Sequence, residues 1–413
     1  MYNEQNFKKV AKRINSYKKA MIDMQIALTA TKAVGPDNSG EGEFEKAKVL
    51  NKILIELGFK IFRHYDAPDK SVPAGVRPNF ITSIDGKNKK KHIWILTHLD
   101  VVPPGELKLW SRDPYEAYVK NGLIYGRGVE DNQQDMVASI FAVKAFLDEG
   151  ITPSNSIGLA FVSDEETSSK MGLQYMLKCR NHPFKKNDLI IVPDGGNPRG
   201  TLIEVAEKSM LWLRFKTKGK QCHASIPQLG KNAFVAASYL VTQLGLLKKK
   251  FPKSDILFKP PTSTFEPTKK EANVGNVNTI PGEDVFYLDC RILPQYKLSD
   301  VMSEIKKITR ATENKFKVKI EISEVQKLQA PKPTPSDAPV VKALQKAIKS
   351  VYRAKAAAGG VGAGTVAAFF REKNYPVAVW SKENMNAHQP DENCTVDNML
   401  GNAKVFAHIF LQD

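Results

Sequence analysis

Cysteine is scarce in this 413-residue chain: Cys179, Cys222, Cys290 and Cys394 are the only four, and no two form a Cys-x-x-Cys pair. That spacing excludes a disulfide framework and fits free thiols in a reducing cytoplasm, the expected location. No apolar run approaches the roughly 18 residues that suggest a membrane span. The start, Met1-Tyr2-Asn3-Glu4-Gln5, is polar and unlike a secretion signal. No membrane partner is expected. There is no Gly-x-Ser-x-Gly elbow, which argues against a serine hydrolase of that kind. Acidic residues are the minority charge, 44 against 61 basic, for a net +17. The basic runs at 89–91 and 248–250 are short and carry no interleaved aromatics. The excess therefore reads as a solvated exterior, and no nucleic-acid partner is expected. A positive field still favours anionic small substrates.

What is present is ordinary globular material, 42% hydrophobic and 25% charged, long enough to favour two domains. Residues 93–97, 157–162 and 189–193 are continuous apolar runs, as in strands buried on both faces of a parallel sheet. Residues 7–33 read as one helix, 44–57 as a second ended by Gly58, and 136–148 as a third. After Glu207 the pattern changes. Residues 210–217 alternate like a half-exposed strand, and a helix follows at 233–247. Strands are expected at 272–278 and 285–292, then a helix at 298–312 and a strand at 318–325. The Pro-rich stretch 330–335 leads back to a βα pattern. The expected fold class is α/β: a mixed, mainly parallel sheet flanked by helices. It covers residues 1–207 and 325–413 and is interrupted by an α+β domain at 208–324.

Residues of metal-ligating type stand where these strands end. His98 follows the first run, Glu165 and Glu166 the second, and Asp194 the third. Sites in open α/β sheets form beyond the carboxyl ends of the strands, so these side chains can meet although they are distant in sequence. Asp131, after Gly126-Arg127-Gly128, suits a carboxylate that bridges two cations. His388, in a loop before the last helix, supplies a second imidazole. Two adjacent acids at a buried strand end are costly unless something positive neutralises them. A metal held by Glu166 would do so, leaving Glu165 to take a proton from water. Asp100 lies two residues past His98, on the same side of extended backbone. From there a carboxylate can accept the free ring N–H of a metal-bound imidazole. This donor set suits Zn²⁺, with Co²⁺ or Mn²⁺ as substitutes. Two such ions about 3.5–4 Å apart can activate water and hold a developing oxyanion.

His92, at the opposite end of its strand, reads as inert. His64, His182 and His408 have no acidic companion at a useful spacing and read as structural. The run Gly359-Gly360-Val361-Gly362-Ala363-Gly364-Thr365 has neither a P-loop nor a dinucleotide register. It leads into a helix. Backbone N–H groups around Gly364 and Thr365 are candidates for a substrate carboxylate, with a plain flexible turn as the equal alternative. Cys222 and His223 are neighbours in a strand-like pattern and point to opposite faces, which argues against a Cys–His dyad.

Several motifs recur together in order and approximate spacing. They are His98-Leu99-Asp100-Val101-Val102-Pro103, Trp110-Ser111-Arg112-Asp113-Pro114-Tyr115, Gly126-Arg127-Gly128-Val129-Glu130-Asp131 and Asp164-Glu165-Glu166. Cys222-His223-Ala224-Ser225-Ile226-Pro227 with Gly230-Lys231-Asn232-Ala233 follows, then Asn278-Thr279-Ile280-Pro281, Arg291, and Ala387-His388-Gln389-Pro390 with Glu392. Over nearly the whole chain this resembles the co-catalytic dizinc exopeptidase and deacylase family. Its members include aminoacylase, acetylornithine deacetylase, succinyl-diaminopimelate desuccinylase, carboxypeptidase G and carnosinase-like dipeptidases.

The resemblance implies a zinc-exopeptidase-like catalytic domain holding two Zn²⁺ per subunit. Asp131 would bridge them, with His98 and Asp194 on one ion and Glu166 and His388 on the other. Glu165 would be the general base and then the acid, and Asp100 would orient His98. The inserted domain would be a lid and a homodimer surface, with His223 reaching the partner's oxyanion. Asn278 and Arg291 would help bind the substrate carboxylate. The implied substrate is an N-acyl amino acid, with a short peptide cleaved by a dipeptidase or carboxypeptidase as the alternative. An idle binding relative would lack ligands, and none is missing here. Val366-Ala367 stands where many desuccinylase-like members have an Asp shortly after the Thr.

Overall fold

The computed structural model describes residues 3–362 and 364–412. The chain divides into two compact units. The first comprises Met1–Val205, Thr334–Ala358 and Thr365–Asp413, and the second Ala206–Pro333 and Gly359–Gly364. The return to the first unit falls at Thr334, beyond the expected 325. The strand Lys319–Leu328 runs past Val325, and the Pro-rich segment that follows still belongs to the second unit.

The first unit is built on an eight-stranded sheet. Its order is Phe62–His64, Phe80–Ile84, Asn155–Val162, Asn88–His98, Leu189–Gly196, Val377–Ser381, Leu202–Glu207 and Ala357–Val361. Four neighbours, from Asn155–Val162 to Val377–Ser381, run parallel. Strands on both sides of them are antiparallel, as a mixed, mainly parallel sheet requires. Side chains alternate across it. Trp94, Leu96, Val162, Ile190, Val192, Val377 and Val379 share a core with Leu173, Met176, Ala367 and Phe370. Trp380, of opposite parity, meets Phe406 of the helix Val396–Phe410 at 6.2 Å between ring centroids. Burying each such side chain stabilises the fold by about 1.5–3 kcal/mol. Gly158 faces Trp94, and a Cβ there would lie 2.1 Å from the indole ring.

Register decides what emerges at the carboxyl edge. His98 pairs with Val162, and Ile95 pairs with Ile191. Three residues past Ile95 and Ile191 are His98 and Asp194, so these leave the sheet side by side, level with the turn that begins at Ser163. The expected helix at 7–33 is two helices, Glu4–Ser16 and Lys18–Thr29. At the break the Ser16 hydroxyl bonds back to the Arg13 carbonyl at 2.6 Å, and Tyr17 reaches Asp148 at 2.5 Å. Such local bonds compete with helix continuation.

The second unit has a four-stranded antiparallel sheet in the order Thr264–Lys270, Glu283–Ile292, Ser209–Lys218 and Lys319–Leu328. Alternate residues of Ser209–Lys218 are buried. They pack in one core with residues of the helices Ala233–Leu244 and Leu298–Phe316. The strand expected at 272–278 is absent; Thr264–Lys270 takes that position in the sheet. Pro267 disguised it, since proline reads as a breaker yet is tolerated on an edge strand. Among the described residues, no helix is long and apolar enough to cross a membrane, and all four cysteines are free.

Candidate metal centre

Two trios of ligand-type side chains converge at the sheet's carboxyl edge: His98, Asp131 and Asp194, and Asp131, Glu166 and His388. His98 Nε2 is 3.0 Å from Asp131 Oδ1 and 3.3 Å from Asp194 Oδ1. His388 Nε2 is 3.0 Å from Asp131 Oδ2 and 3.1 Å from Glu166 Oε2. Asp131 therefore gives one oxygen to each trio. It sits in extended backbone just before the helix Gln134–Glu149, which starts at Gln134 and not at Met136 as expected.

The side chains press positive charge onto one another. Burial raises the Asp131 carboxyl, but hydrogen bonds from His388 and His98 outweigh it and hold the group far below its usual range. Burial opposes a charge on His98, yet Asp194 and the bonds to its neighbours hold that imidazole well above its ordinary value. Bonds to Asp131 and Glu166 lift His388 to about 10. Burial, then the charge of Asp131, pushes Glu166 up to about 7. Burial, followed by Asp194, raises Glu165 well above the carboxylate range.

Within each trio the ligand atoms lie within 4.8 Å of one another. A divalent cation with bonds of about 2.0–2.2 Å closes that span with small side-chain movements. One imidazole and two carboxylates per trio, joined by a shared carboxylate, are a donor set that fits a pair of cations.

A second layer holds these side chains. Asn132, which the sequence did not single out, donates from Nδ2 to Asp194 Oδ1 at 3.1 Å and accepts the His98 N–H at 3.3 Å. Asp100 is the residue expected to orient His98. His98 Nδ1 meets the backbone carbonyl of Asp100 at 2.9 Å, while the nearest carboxylate oxygen is 3.6 Å away, too long for a hydrogen bond. The carboxylate instead accepts the N–H groups of Glu165 at 3.1 Å and Glu166 at 3.0 Å. Buried Glu43, paired with Arg77 at 2.6 Å, accepts the neighbouring Asp164 N–H at 3.3 Å. Glu392 accepts the N–H groups of Glu130 and Asp131 at 3.0 and 3.2 Å, and Glu130 accepts that of Asn386 at 2.7 Å. A carboxylate that acts on another segment's backbone leaves no pattern in the sequence, which is why Glu130, although part of a quoted motif, was given no role of its own.

The other expected residues are less engaged with chemistry. The Val366 N–H, at the start of the helix expected to bind a substrate carboxylate, donates to Glu165 Oε1 at 3.2 Å. Thr365 Oγ1 accepts the Ala367 N–H at 3.2 Å. Gly364 is exposed, and Ala363 of the same run lies outside the described residues. In the second unit, exposed His223 has its Nε2 3.5 Å from Asn278 Nδ2. Arg291 is held there by Asp289, at 2.8 and 3.1 Å, and by the Gly362 carbonyl at 2.8 Å, three bonds from a guanidinium that carries five N–H donors.

Sheet, strand-end ligands and paired trios define a class, the metal-dependent hydrolases of amide and peptide bonds. The chain belongs to peptidase family M20/M25/M40, whose model matches residues 94–412. It is 41% identical to an uncharacterized metallohydrolase of Methanocaldococcus jannaschii, over 94% of this chain and 98% of the relative. It is 25% identical to the succinyl-diaminopimelate desuccinylase of Polynucleobacter necessarius, over 92% and 96%. Among solved structures, human carnosine dipeptidase 1 shares the fold at a TM-score of 0.74, with 16% identity and 98% of each chain covered.

Proposed function

We propose that this chain is a dinuclear amidohydrolase that cleaves N-acyl amino acids, in the manner of succinyl-diaminopimelate desuccinylase or acetylornithine deacetylase. The observation that carries the reading is Asp131, whose two oxygens each lie 3.0 Å from a different imidazole. That sharing supports Asp131 as the bridge, His98 and Asp194 as ligands of one ion, and Glu166 and His388 as ligands of the other. Two divalent cations, Zn²⁺ in this reading with Co²⁺ or Mn²⁺ as substitutes, would polarise the scissile carbonyl and make water easier to deprotonate. Glu165 takes a proton from the attacking water and returns it to the nitrogen as the C–N bond breaks. One water is consumed, and an acid and an amine leave.

The finer assignments go with this reading. Asn278, Arg291, Gly364 and Thr365 recognise the substrate carboxylate. The inserted unit serves as lid and homodimer surface, and His223 of one subunit supports the oxyanion in the other. Free cysteines favour a reducing, cytoplasmic setting. The test supplies metal-free protein with zinc or cobalt and a panel of N-succinyl and N-acetyl amino acids and dipeptides. Metal-restored turnover of an N-acyl substrate is the expected result. Dipeptide cleavage with every N-acyl substrate untouched would overturn the deacylase reading in favour of an exopeptidase. Activity that survives chelation would overturn the metal reading.

A further inference from the structure

We propose that Glu130 is a positioning residue for His388, and that with Glu392 it forms a reciprocal clasp on which binding of the second cation depends. The inference rests on the dinuclear reading. Two segments are involved, residues 126–133 with Asp131 and residues 383–393 with His388. Each sends one buried carboxylate into the backbone of the other. Glu392, 0% exposed, accepts the N–H groups of Glu130 and Asp131 on Oε1, and Arg127 Nη1 donates to its Oε2 at 2.5 Å. Glu130, 3% exposed, accepts the Asn386 N–H on Oε2 and the Asn384 N–H on Oε1. One carboxylate thus fixes the backbone of the bridging ligand, and the other fixes the turn that carries His388.

That turn needs restraint. Met385 has φ 64° and His388 has φ 65°, both in the left-handed region. For a residue other than glycine this costs about 1–3 kcal/mol and persists only where the surroundings over-determine it. Asn386 adds one restraint, its Oδ1 accepting the Asn393 N–H at 2.8 Å. Glu130 adds two more, on either side of Met385. The chemistry of the side chain also matters. The Arg127 guanidinium meets Glu392, and that one ion pair does not offset the desolvation of two buried carboxylates. Backbone N–H donors supply the rest. A carboxylate presents two acceptor oxygens, whereas a carboxamide of the same size presents one oxygen and one NH₂. Glu130→Gln therefore keeps the volume and loses one of the two bonds.

His98 and Asp194 hang from strand ends and do not depend on the 383–393 turn. The consequence is selective: loss of Glu130 weakens the cation held by Glu166 and His388 and spares the one held by His98 and Asp194. The test is calorimetric titration of metal-free protein with Co²⁺, with the cobalt absorption bands recorded at each equivalent. Wild type takes up two ions. Glu130→Gln should bind the second about 10–100-fold more weakly, the range for outer-shell partners of metal ligands. Its first ion should stay unchanged within about threefold, and excess Co²⁺ should restore kcat. Glu130→Asp, which keeps both oxygens on a shorter stem, should fall between and carries the same comparison if the Gln variant does not fold. Equal weakening of both ions, or of neither, overturns the clasp. A wild type that binds fewer than two ions overturns the dinuclear reading itself, a separate outcome.

Discussion

The two trios that share Asp131 are built differently. His98 and Asp194 stand at the ends of neighbouring parallel strands, and His98 is 2% exposed. Glu166 lies in a turn and His388 in a loop with left-handed backbone, its side chain 53% exposed. Strand register fixes the first trio from a distance, because a shift by one residue would invert every side chain of a buried strand. Nothing so global fixes the second. Local carboxylates do it instead, Asp100 for Glu165 and Glu166, and Glu130 for the turn before His388. A rigid scaffold can thus carry one of two linked trios, while the other is assembled by hydrogen bonds to backbone.

The largest effect should come from removing the residue common to both halves. Asp131→Ala should lose both metal equivalents and drop turnover to background, measured by elemental analysis beside a hydrolysis assay. Loss of a single ion would mean that Asp131 does not bridge. Next is Glu165→Ala, which removes no member of either trio. Its kcat should fall about 10²–10⁴-fold, the usual contribution of a general base, with both ions retained. Retained activity would remove Glu165 from that role.

A smaller effect separates the halves in metal-free protein. His98→Ala strands the partly buried Asp131 and Asp194 and should cost about 1–3 kcal/mol. His388→Ala also takes a partner from Asp131 and Glu166, but at a half-exposed position that water reaches, and should cost less, under about 1 kcal/mol. Urea unfolding of the two variants decides it, and equal losses would erase the asymmetry. The pH dependence has a definite sign. The neighbouring acids hold His98 above its ordinary value, so its contribution is complete below about pH 6.5, the unfolded value. It disappears only as pH rises through the higher folded value.

The sequence revealed one half better than the other for the same physical reason. The apolar runs before His98, Glu165 and Asp194 announce buried strands, and strand ends are where ligands gather. His388 had no such guide; only its residue type and its place in a loop before the last helix pointed to it. Glu130 and Asn132 act through backbone N–H groups and a neighbouring carboxylate, partners that only folded coordinates bring together. The edge strand Thr264–Lys270 was hidden by Pro267, and the bend at Tyr17 by continuous helical spacing. Asp100 was selected by position, and its carbonyl as well as its carboxylate is engaged. Residues i and i+2 of an extended chain share a side, which left open whether side chain or carbonyl would meet the ring.

Asp100 also offers the finest division between the halves. Its carbonyl serves the first trio through His98, while its carboxylate serves the turn of Glu165 and Glu166. Asp100→Asn leaves the carbonyl in place and turns one acceptor oxygen into a donor facing an N–H group. The bond to His98 should survive, and the first ion should bind as in wild type. Glu165 and Glu166 should loosen together, lowering kcat and second-ion affinity by about tenfold, the low end for an outer-shell partner. If the carboxylate served His98 instead, the first ion would weaken and the second would not. Stepwise Co²⁺ titration of the Asn variant distinguishes the two, since each hypothesis names a different ion.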